Sequence, residues 1–136
     1  MKKALFVLIA IAFFAVAAFA ADKTEPAQKS AHAWLALVDA GKYAESWNES
    51  ASLFRNAIAQ KGWESAIRGV RGPLGEVKSR KLKSATYSTS LPGAPDGEYF
   101  VIQFETAFAN KAQAIETITP MLDKDGKWRV SGYYIK

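Results

Sequence analysis

The sequence predicts an α+β domain in which three N-terminal helices pack on one face of a four-stranded antiparallel sheet. Two observations carry this. Up to the pair Gly72-Pro73 the apolar residues recur at intervals of three and four, the period of a helix that buries one stripe. After Gly75 that stripe ends, and β-branched and aromatic residues fill segments divided by turn sequences, which is the pattern of strands. Helices grouped first and strands afterwards belong to the α+β class, not to the alternation that builds a parallel sheet.

The elements follow in chain order. Lys2 and Lys3 precede an uncharged apolar run from Ala4 to Phe19, closed by the small-residue pattern Ala18-Phe19-Ala20. These are the three regions of a secretory signal peptide, with cleavage expected near Ala20. The competing reading is a retained anchor, since the run approaches the roughly 17 to 25 residues that span a bilayer. The Ala-rich end favours cleavage, because an anchor has no use for it. The expected organisation is therefore a signal peptide over 1–20, a short polar lead over 21–25 and one α+β domain over 26–136. The protein is expected to be exported and periplasmic, or secreted, touching the membrane only through the signal peptide before cleavage.

A first helix carries Ala27, Ala31, Trp34, Leu35 and Val38 on one stripe, and Gly41 stops it. A second is predicted through Tyr43, Trp47, Ala51, Phe54 and Ile58, antiparallel to the first across a tight turn. A third, short helix bears Trp63, Ile67 and Val70 and ends at Gly72-Pro73, where proline breaks the hydrogen-bond ladder. Strands are predicted over Glu76–Leu91, Glu98–Ala109, Lys111–Asp123 and Lys127–Lys136. "PGAPDG" forms the first loop, and Asn110-Lys111 and Asp125-Gly126 form the hairpin turns.

Two-residue turns at those places place Glu105 opposite Glu116, Phe104 opposite Thr117, Leu122 opposite Arg129, Ile118 opposite Tyr133 and Glu116 opposite Ile135. Strict alternation then gives a core face of Phe100, Ile102, Phe104, Phe108, Ile115, Met121, Trp128, Val130 and Tyr134. The other face holds Tyr99, Val101, Gln103, Glu105, Glu116, Ile118, Leu122, Arg129, Tyr133 and Ile135. That second face is too apolar to stand bare, which predicts a homodimer, a partner protein, or a small ligand held by Tyr99, Arg129 and Tyr133.

Composition narrows the function classes. Cysteine is absent, which removes disulfides, a thiol nucleophile, a lipidated N-terminal Cys and Cys-ligated metal. Loss of Lys2 and Lys3 lowers the basic side chains from 18 to 16 against 13 acidic, a net +3. That is too mild for nucleic acid. The basic stretch "KSRKLK" reads as a solvated strand guarded by its lysines, with attraction to anionic lipid as the alternative.

The set Trp34, Asp39-Ala40-Gly41, Tyr43, Ser46-Trp47, Trp63, Arg71, Leu74-Gly75, Arg80, Leu91-Pro92-Gly93, Gly97-Glu98-Tyr99, Glu116, Asp125-Gly126, Trp128-Arg129-Val130 and Gly132-Tyr133 resembles the DUF4019 family of small exported bacterial proteins, across nearly all of the mature chain. The resemblance implies no catalytic residues, because the family's function is unknown. The element order also resembles the cystatin-like and nuclear-transport-factor-two-like cone folds, where helices close over a curved sheet around a pocket.

Candidate chemistry is sparse. Glu105 and Glu116 side by side would raise one pKa and suit a general base, which points to a small-molecule isomerase or hydrolase. Set against that, Arg129 or a lysine neutralises them and no nucleophile or oxyanion donors accompany them. His32 is the only histidine and falls on the exposed side of the first helix, so no metal cluster is expected. Asp39 is assigned to local turn chemistry. Trp34, Trp47 and Trp63 lie on core stripes, with indole N–H groups that need partners and allow a slightly polar cavity beneath the helices. Arg71 and Arg80 flank the helix-to-strand crossing, where a guanidinium could receive a carboxylate or phosphate. With Tyr99, Arg129 and Tyr133 they are the candidate ligand- or partner-binding residues. The expectation is a non-enzymatic exported module without cofactor that binds a partner protein or small ligand.

Overall fold

The computed structural model describes residues 23–136, so the signal peptide expected over 1–20 lies outside the described residues. The described part contains four helices followed by four strands. Helix α1 covers 23–39, α2 Tyr43–Asn48, α3 Ser52–Ala57 and α4 Gln60–Leu74. Strands β1 Val77–Ser88, β2 Tyr99–Phe108, β3 Lys111–Leu122 and β4 Trp128–Ile135 form one antiparallel sheet in the order β1-β2-β3-β4. Among the described residues no helix is long and apolar enough to cross a membrane.

The stripe of α1 is the one its spacing predicts: Ala27, Ala31, Trp34, Leu35 and Val38 are all buried. Gly41 ends the helix at φ 75°, and Lys42 N–H reaches back to the Leu37 carbonyl at 2.8 Å, the wrap-around bonding of a glycine C-cap.

The predicted second helix is two helices, making four in all and not three. At Ala51 the backbone turns extended (φ −61°, ψ 154°), and its N–H bonds the Val130 carbonyl on β4 at 2.8 Å. The chain leaves the helix to satisfy an edge strand. It re-enters under a cap supplied from far along the sequence, because Asp123 accepts Ser52 N–H at 3.0 Å and Ser52 Oγ–H at 2.8 Å. The predicted third helix runs through Gly72 and Pro73 to Leu74. Its buried stripe is Trp63, Ile67 and Arg71, whereas Val70 is 47% exposed.

Gly75 is required where the chain crosses into β1. Its φ is 76°, and an added Cβ would stand 3.1 Å from the Ala109 Cβ and 3.2 Å from Asn110 Nδ2. The β2–β3 turn packs there and closes the end of α4, with Asn110 Nδ2–H donating to the Pro73 carbonyl at 2.9 Å.

Two of the sheet's register shifts set which side chains of β3 and β4 face the helices. In the β2–β3 hairpin Phe108 pairs with Lys111, but Thr106 pairs with Ala114. One extra β3 residue is therefore accommodated between them, and Phe104 faces Glu116 while Glu105 faces Ile115. In β3–β4 the register slips between Thr119–Gly132 and Pro120–Val130. Pro120 has no N–H to give the ladder, and a bulge is where a sheet tolerates that. Ser131 is the extra residue, its hydroxyl bonding the Thr119 carbonyl at 2.8 Å.

These bulges overturn part of the predicted alternation. The predicted pairs Ile118–Tyr133 and Glu116–Ile135 are present, whereas Leu122 pairs with Trp128 and Arg129 with Met121. Glu116 and Ile118 are fully buried on the helix side with Phe104, and Tyr133 joins them. Tyr134 points away and is 59% exposed. The core lies between this corrected inner face and the helices, with Trp34, Leu35, Phe54, Trp63 and Ile67 packed on Phe100, Ile102, Phe104, Ile118 and Val130.

Candidate functional site beneath the helices

Where the end of α1, the last turn of α4 and the inner sheet face meet, six polar side chains form one network. Arg80, on the inner face of β1, donates from Nε to Glu116 Oε1 at 2.7 Å and from Nη2 to Oε2 at 3.2 Å. Its other end reaches Asp39, Nη1 to Oδ2 at 2.8 Å and Nη2 to Oδ1 at 3.0 Å. Arg71, buried on the α4 stripe, donates from Nη2 to Asp39 Oδ1 at 2.6 Å and lies near Tyr133 Oη at 3.5 Å. Thr106 donates its hydroxyl to Glu116 Oε1 at 2.5 Å, and the Tyr133 hydroxyl donates to Oε2. The Arg71 guanidinium also lies 5.1 Å from the centre of the Phe108 ring, a cation–π distance.

Two guanidinium and two carboxylate groups balance each other in this network. Burial by itself weakens the charge of Arg80, but its hydrogen bonds to Asp39 and Glu116 outweigh that and hold it more firmly protonated than a free guanidinium. Burial likewise raises the Asp39 carboxyl, and the Arg80 and Arg71 hydrogen bonds overcome it, leaving a net pKa below 3.8. Burial pushes the Tyr133 hydroxyl well above its ordinary range, and the Glu116 charge pushes it further. It is a fixed donor at neutral pH. Glu116 has both oxygens occupied by Arg80, Thr106 and Tyr133. A carboxylate so held is poorly placed to take a proton from a substrate.

Of the predicted site residues, Arg71, Arg80 and Tyr133 come together here. Tyr99 and Arg129 do not. Tyr99 lies under the β1–β2 loop, its hydroxyl donating to the Pro95 carbonyl at 2.6 Å. Arg129 forms a fork with Asp125 at 2.7 and 2.8 Å. The predicted Glu105–Glu116 pair is absent, because the extra β3 residue turns Glu116 inside while Glu105 stays on the exposed outer face. Arg80 belongs to the network, not to the solvated basic stretch, where Lys78, Lys81 and Lys83 are exposed. Asp39, assigned from sequence to turn chemistry, is the bridge between both arginines. Its signal was its place one turn-residue pair ahead of Gly41 with two arginines near the helix-to-strand crossing.

The tryptophan N–H groups are satisfied locally. Trp34 Nε1 donates to the Ser46 carbonyl and to Ser50 Oγ, both at 2.9 Å, Trp63 Nε1 to Ser46 Oγ at 2.9 Å, and Trp47 Nε1 to the Ile58 carbonyl at 2.8 Å. Ser46, fully buried, is thus a polar hub for two indoles. His32 is exposed, its ring edge-on to Phe104 at 5.2 Å. Among the described residues no group of three or more His, Asp or Glu is placed to hold a metal ion.

On the opposite face of the sheet lies an open groove of about 580 Å³. Ala107, Ala112 and Ile115 give it an apolar floor, and Lys81, Glu105, Gln113 and Lys136 are among its polar lining.

A four-stranded antiparallel sheet covered on one face by helices and tied to them by a neutralised ion network defines a small α+β domain. The chain belongs to the family described as protein of unknown function (DUF4019), whose model matches residues 30–133. No curated protein matches it.

Proposed function

We propose that this chain is an exported, periplasmic module without enzymatic activity, built on a cone-like fold, that binds a partner protein or small ligand. The observation that carries the reading is the occupation of Glu116. The one carboxylate fully enclosed among the described residues has both oxygens held by three donors, which supports a role in tying helices to sheet over a role as a base. The alternative isomerase or hydrolase needs a free glutamate facing an enclosed cavity, and Glu105 faces solvent. Binding is assigned to the groove on the outer face, whose apolar floor and charged rim suit an amphiphilic partner surface or ligand. The N-terminal Lys2-Lys3 and the apolar run to Ala20 support export.

Native mass spectrometry of the protein purified gently from its own envelope fraction tests this. The expected chain begins at Ala21 and retains added mass, and Ile115→Arg on the groove floor loses that mass. A bare chain in both, or a chain that still begins at Met1, contradicts the reading.

A further inference from the structure

Arg71 and Arg80 do not use their donors equally. Arg80 is satisfied along its Nε/Nη2 edge by Glu116, at 2.7 and 3.2 Å, and across its Nη1/Nη2 end by Asp39, at 2.8 and 3.0 Å. Arg71 gives Nη2 to Asp39 Oδ1 at 2.6 Å. Its Nε–H, which points along the same edge of the planar guanidinium, is buried without a hydrogen-bond partner among the described residues. An unmet buried donor is costly and rare.

The stereochemistry of the occupant explains the gap. Asp39 has two oxygens: Oδ1 is shared between Arg71 and Arg80, and Oδ2 is taken by Arg80. A third oxygen would complete the Arg71 edge. A tetrahedral oxyanion presents three oxygens on one side and can serve the end of Arg80 and both donors of Arg71 together.

Asp39 is also the member of the network best able to leave. It is the last residue of α1, two before Gly41 at φ 75°, and its side chain is 28% exposed against 5% for Arg71 and 13% for Arg80. Glu116, held from its far side by Thr106 and Tyr133, would keep Arg80 in position after Asp39 had swung out.

We propose that Arg71 and Arg80 form a binding site for a phosphate group, in which the Asp39 carboxylate is a built-in occupant that a phosphate or phosphomonoester displaces. The site lies on the helix side of the sheet, and neither arginine lines the outer groove.

Titration of inorganic phosphate into labelled protein at constant ionic strength, with acetate as the two-oxygen control, tests it through the Nε–H resonances of Arg71 and Arg80. Phosphate is expected to shift both saturably and acetate more weakly. Asp39→Ala, freed of the competitor, is expected to bind phosphate roughly tenfold or more tightly than the unmodified protein. Asp39→Asn, which keeps the helix end but not the charge, takes its place if that variant does not fold. Arg71→Lys, a point charge without the planar edge, should lose the preference for phosphate over acetate. Ile115→Arg should leave phosphate binding unchanged, which separates failure here from failure of the groove. Competition by glycerol phosphate identifies a soluble phosphomonoester, and competition by phosphatidic acid vesicles, but not phosphatidylcholine vesicles, a lipid headgroup. The proposal is overturned if neither Asp39 variant binds phosphate more tightly than the unmodified protein, or if acetate binds as tightly as phosphate.

Discussion

Glu105 on β2 and Glu116 on β3 lie on opposite faces of one sheet, and their surroundings differ in every respect. Glu116 is fully buried and receives hydrogen bonds from Arg80, Thr106 and Tyr133. Glu105 lines an open groove. The inner face has spent its charges on each other, tying α1 and α4 to the sheet, whereas Lys81, Glu105 and Lys136 along the outer groove stay exposed. For a protein of this size a carboxylate's chemistry is thus set by the face it occupies, and one bulge decides the face.

The largest expected effect comes from removing the centre of the inner network. Arg80→Met leaves Glu116 and part of Asp39 without their common cation, and breaking a buried pair in this way costs about 3 to 5 kcal/mol. Urea unfolding measures it, and a loss near zero would mean that the network adds no net stability to the fold. Tyr133→Phe deletes only the hydroxyl that donates to Glu116, so a smaller loss of about 1 to 3 kcal/mol is expected. Ser46→Ala removes the acceptor for Trp63 N–H and falls in the same range. It sharpens the comparison because it tests the helix layer without touching a charge.

Acid should act on the inner face through Asp39. Its folded pKa lies below 3.8, so in that window the unfolded chain binds more protons than the folded one. Stability is therefore complete above the unfolded value and is lost as pH falls through the folded value. Urea midpoints measured from pH about 5 to about 2 should fall, and Asp39→Asn should flatten part of that fall. Asp123, held below its ordinary value because its Ser52 hydrogen bonds outweigh burial, contributes to the remainder, together with Glu98, lowered by hydrogen bonds from Lys23 and Tyr87, and Asp125, lowered by Arg129.

Much of the fold was legible. The stripe of α1, the four strands and their order follow from period and turn chemistry, because those signals are local. Residues whose environment depends on bulges were not legible. Nothing local in "AFANKAQA" announces the extra β3 residue between Thr106–Ala114 and Phe108–Lys111, and without it Glu116 is read onto the wrong face. Pro120 was the available clue to the second bulge, since a proline inside a paired strand needs an irregularity. The break at Ala51 was hidden for another reason: the Val130 carbonyl and the Asp123 carboxylate that cause it lie more than seventy residues away. Arg71 was named as a site residue from its position, but Val70 seemed the better stripe member on hydropathy alone. The Arg71 side chain is buried because Asp39 meets its charge.

The account rests on the inward placement of Glu116, and a pair of variants tests it most directly. Urea unfolding of Glu116→Gln and Glu105→Gln is expected to separate them widely: a loss on the order of 3 kcal/mol for Glu116, whose arginine is left uncompensated, and a change within about 0.5 kcal/mol for Glu105. Equal losses, or a greater loss at Glu105, would contradict the placement and with it the division of the sheet into a neutralised inner face and a free outer one.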